Sequence, residues 1–536
     1  MVATLSDAAS FLPEMAAEQR APDGTTVIIL RNAAASLGRV VAVTLAAVVL
    51  PAYLTHRLPV DRYAAWVLIL QLGAYVSYLD FGIQTGVSKF VAECDARGDW
   101  RGAGRQASSG LALMLIAGGL GLILTSILAW QVPRLFSAMP SSFFHEVRVS
   151  VVLVGFSLSL SLVCSLYSAV FLGLQRYGIP MAIAAANRAA FTAAAIAIAA
   201  RGGNLVAMSA GAAVINVATG VAQVVAWQRR AGPVAVSLAS AESATVRSMT
   251  MYCFYQSVWT VGMLCVSGLD VALVGHYDYG QTAYYAIASM PIGFLSAVIA
   301  SLLSPIMPAS SAMSTRRSAA EMGAVLVTIT RYSTVILLLT GLSAIVLGFP
   351  LLQLWVGGDY AVHVLPYLRV LMIANIIRNL CAPYATMICG TGRQRAAILT
   401  AVAEAIVNVS CSILLARHHG AIGVAAGTFI GSLVSVALHF ATTMRLARES
   451  ISVSLTSLFL KGMLRPLVIA IPSVLLLSKW WTPRALDAKS LVLWGISTML
   501  FAWFFAIGAS DRRNLLYLYQ RLLPNSHGYS TASTAK

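Results

Sequence analysis

The stretch YLDFGIQTGVSKFVAE, Tyr78 to Glu93, places an aspartate inside a run that otherwise reads as a membrane span. Asp80 follows Tyr78 and Leu79 and precedes Phe81, and the next charge downstream is Lys89. An ionised carboxylate at the centre of a bilayer costs at least about 2.5 kcal/mol unless it is paired or hydrated. If this run crosses a membrane, Asp80 must face the interior of a helical bundle.

Composition says that it does cross one. The 536 residues are 59% hydrophobic and only 10% charged, with a mean hydropathy of +0.80. A soluble protein carries about 25% charged residues. Apolar runs recur at the length of roughly 20 residues that a bilayer requires. The expected class is all-α and polytopic.

Long apolar runs between charged punctuation give fourteen candidate spans, numbered here in chain order. They lie near 31–54, 63–91, 107–131, 148–173, 179–200, 204–227, 248–275, 281–312, 323–348, 364–389, 396–416, 421–444, 463–481 and 490–509. An even number places both termini on one side. Of the 36 Lys and Arg, 23 fall on the side of the termini, 10 on the other and three (Arg39, Arg188, Arg378) inside spans. The positive-inside rule then makes both termini cytoplasmic. The polar N-terminus lacks a basic n-region and a short apolar h-region, so the first span is expected to be retained.

The net charge of +17 is scattered singly through short loops, without zinc-finger spacing, an aromatic RNA-binding signature or a basic arm. It suits anionic lipid headgroups and excludes a nucleic-acid partner. The seven cysteines, 94, 164, 253, 265, 381, 389 and 411, form no CxxC and read as small buried hydrophobes. No metal-ligand cluster stands out; the His418–His419 pair is too little. No Walker-type loop occurs, since GTGRQR lacks the G-x(4)-G-K-[ST] pattern, so no nucleotide cofactor is expected and the chain is not an ATPase. An enzyme of polysaccharide assembly would need a large outer loop or an acid cluster, and neither is present.

ARGGNLVAMSAG (200–211) and ARHHGAIGVAAG (416–427) align without a gap as A-R-x(8)-A-G. Just upstream, FLGLQRYG (171–178) parallels MICGTGRQR (387–395), each a span end followed by a basic, glycine-containing turn. The offset of six spans preserves orientation, which makes this a parallel repeat of a kind found in transporters. Two six-helix lobes around a cavity follow, with spans 13 and 14 outside the repeat. The expected divisions are a tail at 1–30, lobes at 31–240 and 241–445, the extra helices at 446–510 and a tail at 511–536.

The N-terminal run resembles the opening of polysaccharide-biosynthesis flippases of the multidrug/oligosaccharidyl-lipid/polysaccharide exporter (MOP) superfamily. The matching features are Asn32, Pro51, the DRYAAW entry to span 2 and its DFGIQTGV segment, then LDVALVGHYDYGQTAYYAIA (269–288) and the GTGRQR turn. The resemblance covers the chain to about residue 445. Many O-antigen flippases have twelve spans, so fourteen leaves open a closer likeness to lipid II flippases. The resemblance implies a MATE-like fold of two six-helix bundles facing a central cavity. It also implies flipping of a polyprenyl-diphosphate-linked oligosaccharide across the bacterial inner membrane, for exopolysaccharide, capsule or O-antigen synthesis. The partners it implies are the lipid-linked oligosaccharide, the phospholipid bilayer, and the polymerase and glycosyltransferases of the same pathway. The alternatives are a cation-coupled multidrug exporter of the same superfamily and a lipid II-type flippase.

The charges within spans are the candidate site. Ser77, Asp80, Gln84 and Ser88, spaced i, i+3, i+7 and i+11, form one polar stripe on a helix, expected to face the bundle or its cavity. Arg39 follows Asn32 and Ser36 at helical spacing in span 1, and an Arg39–Asp80 pair is expected. Gly82 and Gly86 make a GxxxG of the helix-packing type. Arg188 follows Asn187 in span 5, while Asn375, Arg378 and Asn379 share a face of span 10. Arg39, Arg188 and Arg378 either receive a diphosphate, which the guanidinium fork suits, or pair structurally. For Lys89 and Arg369, near interfaces, snorkelling to water is expected. Asp80, Asp270 and Glu404 are the acids within spans, expected as ion-coupling or structural partners. Tyr252, Tyr255, Gln256 and Trp259 form an aromatic stripe in span 7.

The charge bias carries a direct test. Reporter fusions at Ser530 and within residues 417–420 are expected to report opposite sides of the membrane, and agreement between them would invalidate the span count.

Overall fold

The computed structural model describes residues 39, 43–232, 234–315, 317–479, 488–506 and 512. Among them every regular element is helical, with no strand. Twelve helical stretches are long and apolar enough to cross a membrane. One of these, Ile398–Leu446, is two helices joined at Gly420, whose φ of 58° and ψ of −137° interrupt the helical backbone. With that stretch counted as two, the twelve correspond to expected spans 2 to 14. Of span 1 the described part is helical over 43–57. The chain is a multi-pass membrane protein. The two expected terminal tails lie outside the described residues, Arg512 excepted.

Local sequence explains several helix starts. Asp99 accepts from the Gly102 amide at 2.8 Å and caps Trp100–Leu135. Asn204 accepts from Ala207 N at 2.9 Å and caps Leu205–Arg230. Ser318 and Glu321 form a reciprocal capping box at the start of Ala319–Val346. Each uses a short polar side chain to satisfy amides that have no intrahelical partner.

Span 2 is not one continuous helix. It runs as α1 (Val60–Ala74), a tighter turn over Tyr75–Asp80, and α2 (Ile83–Ala96). Between the last two, Phe81 and Gly82 take left-handed conformations, φ 47° and 79°. The polar stripe expected through Ser77, Asp80, Gln84 and Ser88 is therefore broken in the middle. The GxxxG expectation also changes. Gly82 supplies a positive φ, and a Cβ on Gly86 would meet Met249, Tyr252 and Cys253 only at ordinary contact distance, 3.4–3.7 Å.

The repeat has a structural counterpart. After Phe144–Gly173 (α3), Arg176 N bonds Phe171 O and Gln175 N bonds Leu172 O, with Gln175 at φ 57°. After Ala382–Gly390 (α4), Arg393 N bonds Ile388 O and Gly392 N bonds Cys389 O, with Gly392 at φ 77°. The two turns close identically, as a left-handed helix end. The first does so with glutamine, at a cost of about 1–2 kcal/mol for a non-glycine residue.

By their contacts the residues fall into two compact units, Met1–Ile287 with Val409–Val424, and Ala288–Asn408 with Ala425–Lys536. This division differs from the expected one at 240/241, because span 7 packs with spans 2 to 4. Met249 and Cys253 share a buried cluster with Val87, Val91, Met114 and Leu166 in the first unit. In the second unit, Leu458 and Met463 of span 13 join Met322, Leu326, Tyr384 and Met387. Span 14 is tied on by Trp494, whose indole donates to Ser473 at 2.9 Å. The seven cysteines are all free, three buried and four half-buried.

The tightest backbone approach in the second unit lies at Gly323. A Cβ there would sit 2.0 Å from the Ser452 carbonyl oxygen, and that strand of backbone is held by Ser452 N bonding Ala319 O at 2.9 Å. Gly323→Ala is expected to lower stability by about 1–3 kcal/mol, read as a lower melting temperature in detergent.

Candidate functional site

Each unit contains a polar cluster that includes an asparagine or arginine of the expected site. In the first, the Asn187 amide donates to Thr219 Oγ1 at 2.8 Å and to Asn216 Oδ1 at 3.4 Å. Asn216 in turn donates to Ser157 Oγ at 3.1 Å. The cluster joins α3, α5 (Gly178–Ala200) and α6 (Leu205–Arg230). Asn216 and Thr219 were missed in the sequence reading. Their signal was present, since Asn216, Thr219 and Gln223 follow helical spacing on one face of span 6.

Arg188, next to Asn187, points elsewhere. It is exposed on α5, and its side chain makes no hydrogen bond or ion pair among the described residues. It lies ten residues into the helix, about 15 Å along the axis, near the middle of a hydrocarbon layer about 30 Å thick. Alanines 184, 185, 186, 189 and 190 surround it in sequence, so its own helix offers no counter-charge. A guanidinium at that depth requires water or an anion beside it.

In the second unit Arg378 finds its partner in the protein. Its Nε lies 2.6 Å from Glu404 Oε1, with side chains 23% and 9% exposed. Asn375 Oδ1 accepts from Ser296 at 2.8 Å and from Asn379 at 3.0 Å. Arg378 Nη2 and Asn375 Nδ2 remain buried donors without a hydrogen-bond acceptor in the protein. Arg378, Asn375 and Asn379 thus share a face as expected, and Glu404 neutralises it.

The expected Arg39–Asp80 pair is not formed. Asp80 instead accepts from Gly82 N through one oxygen and from Gln84 N through the other, each at 3.2 Å. The break in span 2 exposes these two amides, and the carboxylate caps them. Arg39 Nε is buried without a hydrogen-bond acceptor. Asp270 is buried at the start of Asp270–Tyr277 and accepts from the Tyr285 hydroxyl at 3.2 Å.

Lys89 lies over the rings of Phe90 and Tyr252, at 5.2 and 4.7 Å, and pairs with Glu93 at 3.8 Å. Arg369, expected to snorkel to water, is buried. Of the aromatic stripe in span 7, the side chains of Tyr255, Gln256 and Trp259 lie outside the described residues. No group of three metal-ligating side chains occurs among the described residues.

No family model matches the sequence, and no curated protein matches it. Solved structures do. The chain is similar to the lipid II flippase MurJ in an inward closed conformation, with a TM-score of 0.66 at 12% identity, over 91% of this chain and 100% of that one. It is similar to an inward-facing multidrug resistance MATE transporter of the MOP superfamily, at TM-score 0.64 and 14% identity, over 77% and 98%. A third is a MOP superfamily transporter from Pyrococcus furiosus, described as having a binding pocket of reverse polarity that suggests a different function. Its TM-score is 0.52 at 14% identity, over 78% and 96%. The fold is that of the MOP transporters.

The Arg378–Glu404 pair yields a stability test. Arg378→Gln strands a buried carboxylate, at a cost of about 3–5 kcal/mol. The double variant Arg378→Gln/Glu404→Gln is expected to recover most of that loss in thermal denaturation. Additive losses would mean that the two groups do not interact.

Proposed function

We propose that the chain translocates a lipid-linked anion, a polyprenyl-diphosphate-linked oligosaccharide, across the bacterial inner membrane by alternating access. The observation that carries this reading is Arg188, an exposed guanidinium near mid-membrane without a counter-charge among the described residues. A diphosphate supplies the charge it lacks, and the planar fork binds two phosphate oxygens at once. A transporter of cationic drugs would place an uncompensated acid at such a depth. Here Glu404 is ion-paired and Asp80 is spent on two backbone amides. Arg378 and Asn375 retain buried donors that suit phosphate or sugar oxygens.

The likeness to the lipid II flippase favours a second reading within the same cargo chemistry, a lipid II-type flippase. It extends over 91% of this chain, against 77% for the multidrug transporter. An assay with each lipid-linked intermediate separates the two.

Arg188→Ala is expected to reach the membrane and to slow flipping by about 10–100-fold, the loss of one charge-assisted contact of about 1.5–3 kcal/mol. Arg188→Lys keeps the charge without the fork and is expected to fall between alanine and wild type. The measurement is the rate at which a fluorescent lipid-linked oligosaccharide becomes accessible on the far side of proteoliposomes. A normal rate for Arg188→Ala would remove the cargo reading.

A further inference from the structure

Four consecutive residues at the tip of the span 7–8 hairpin, His276 to Tyr279, reach three other hairpins. The Tyr279 hydroxyl donates to the Asp61 carbonyl at 2.7 Å, where span 2 begins. His276 Nδ1 lies 2.5 Å from the Leu135 carbonyl, where span 3 ends. The Asp278 carboxylate accepts from Ala421 N at 3.2 Å, directly after the kink between spans 11 and 12. The kink suits the contact, because a Cβ on Gly420 would lie 2.4 Å from Asp278 Oδ2. The 1–2, 3–4, 7–8 and 11–12 connections each join an odd span to the following even one. They therefore share one side of the membrane, opposite the termini.

A second tier lies deeper along span 7. The Gly268 carbonyl, at the end of the wide turn Leu264–Gly268, accepts from both Gln71 Nε2 at 2.7 Å and the Tyr75 hydroxyl at 3.0 Å. It lies eight residues inward of His276, about 12 Å along a helix. Between the tiers, Gly275 meets Leu68 and Phe136 without a side chain of its own to interlock. Segment 409–424 separates from the rest of the chain's second half and belongs to the first unit, as the Asp278–Ala421 contact requires.

We propose that His276–Tyr279 is the seal that closes the translocation path on the side opposite the termini, and that it parts in each transport cycle. This rests on the alternating-access reading above. In the two six-helix halves of the repeat, spans 7, 8, 11 and 12 belong to the second half and spans 2 and 3 to the first. Tyr279–Asp61, His276–Leu135 and Gln71/Tyr75–Gly268 therefore join the two halves, and Asp278 binds the second half's two hairpins into one moving piece. Each joining hydrogen bond ends on a backbone carbonyl, and the apolar side chains of Leu68 and Phe136 rest on Gly275, which has no side chain to interlock with them. Such bonds exchange for bonds to water at little net cost, which suits a contact that must open repeatedly.

The native Cys265, half-buried in the wide turn beneath the seal, reports on it. The full chain is reconstituted in proteoliposomes and treated with a membrane-impermeant maleimide from one side at a time. Labelling of Cys265 is read by peptide mass spectrometry. In Gln71→Ala/Tyr279→Phe, which removes two of the joining hydrogen bonds, labelling from the seal side is expected to rise about tenfold, while labelling from the opposite side falls. A rise from both sides together, or no change, would overturn the seal. If the double variant misfolds, buried Cys381 also becomes reactive, and Tyr279→Phe alone, lacking one hydroxyl, carries the same test. The readout contains no cargo, so its failure leaves the diphosphate reading standing, and failure of that reading leaves the seal measurable.

Discussion

A charge within hydrocarbon must be met by an opposite charge, a backbone dipole or water, and each ionisable group in the spans meets that demand differently. Arg378 takes Glu404 at 2.6 Å. Asp80 takes two amides that a broken helix has released. Arg188 takes no partner among the described residues and is exposed. The first two are complete in themselves. The third has no such partner among the described residues, which is why the proposed cargo reading rests on it.

Helix breaks are the second consequence of the same demand. A continuous helix satisfies its own backbone and presents only side chains. A broken one frees amides and carbonyls at membrane depth, where they must be used. Asp80 uses the amides that Phe81 and Gly82 release in span 2. The wide turn in span 7 leaves the Gly268 carbonyl to Gln71 and Tyr75. The kink at Gly420 leaves the Ala421 amide to Asp278. In the last two cases the freed group joins segments distant in sequence, so those breaks are also points where helices are tied together.

The fold alone leaves the cargo open. Structures of similar fold include a lipid II flippase, a multidrug transporter and a transporter described as having a pocket of reverse polarity. Shared architecture with unlike cargo puts the discriminating chemistry in a few side chains. In this chain the amide and guanidinium side chains within the described spans include Asn187, Arg188, Asn216, Asn375, Arg378 and Asn379.

The class, the spans and the repeat were legible in the sequence because each depends on composition or local spacing. Apolar length sets a span wherever it occurs, and the turns at Gln175 and Gly392 close alike because the residues around them are alike. The arginines and acids within spans were equally legible, since a charge in an apolar run is visible without any structure. Their partners were not. Span 2 read as an unbroken stripe because side-chain polarity does not reveal two left-handed residues at Phe81 and Gly82, so the use of Asp80 as a cap was hidden. The pairing of Arg378 with Glu404 depends on how two helices 26 residues apart in sequence rotate against each other, and Asn216 meets Asn187 only through the packing of spans 5 and 6. Spacing along one helix fixes which residues share a face, whereas which face meets which is decided by packing among many helices at once.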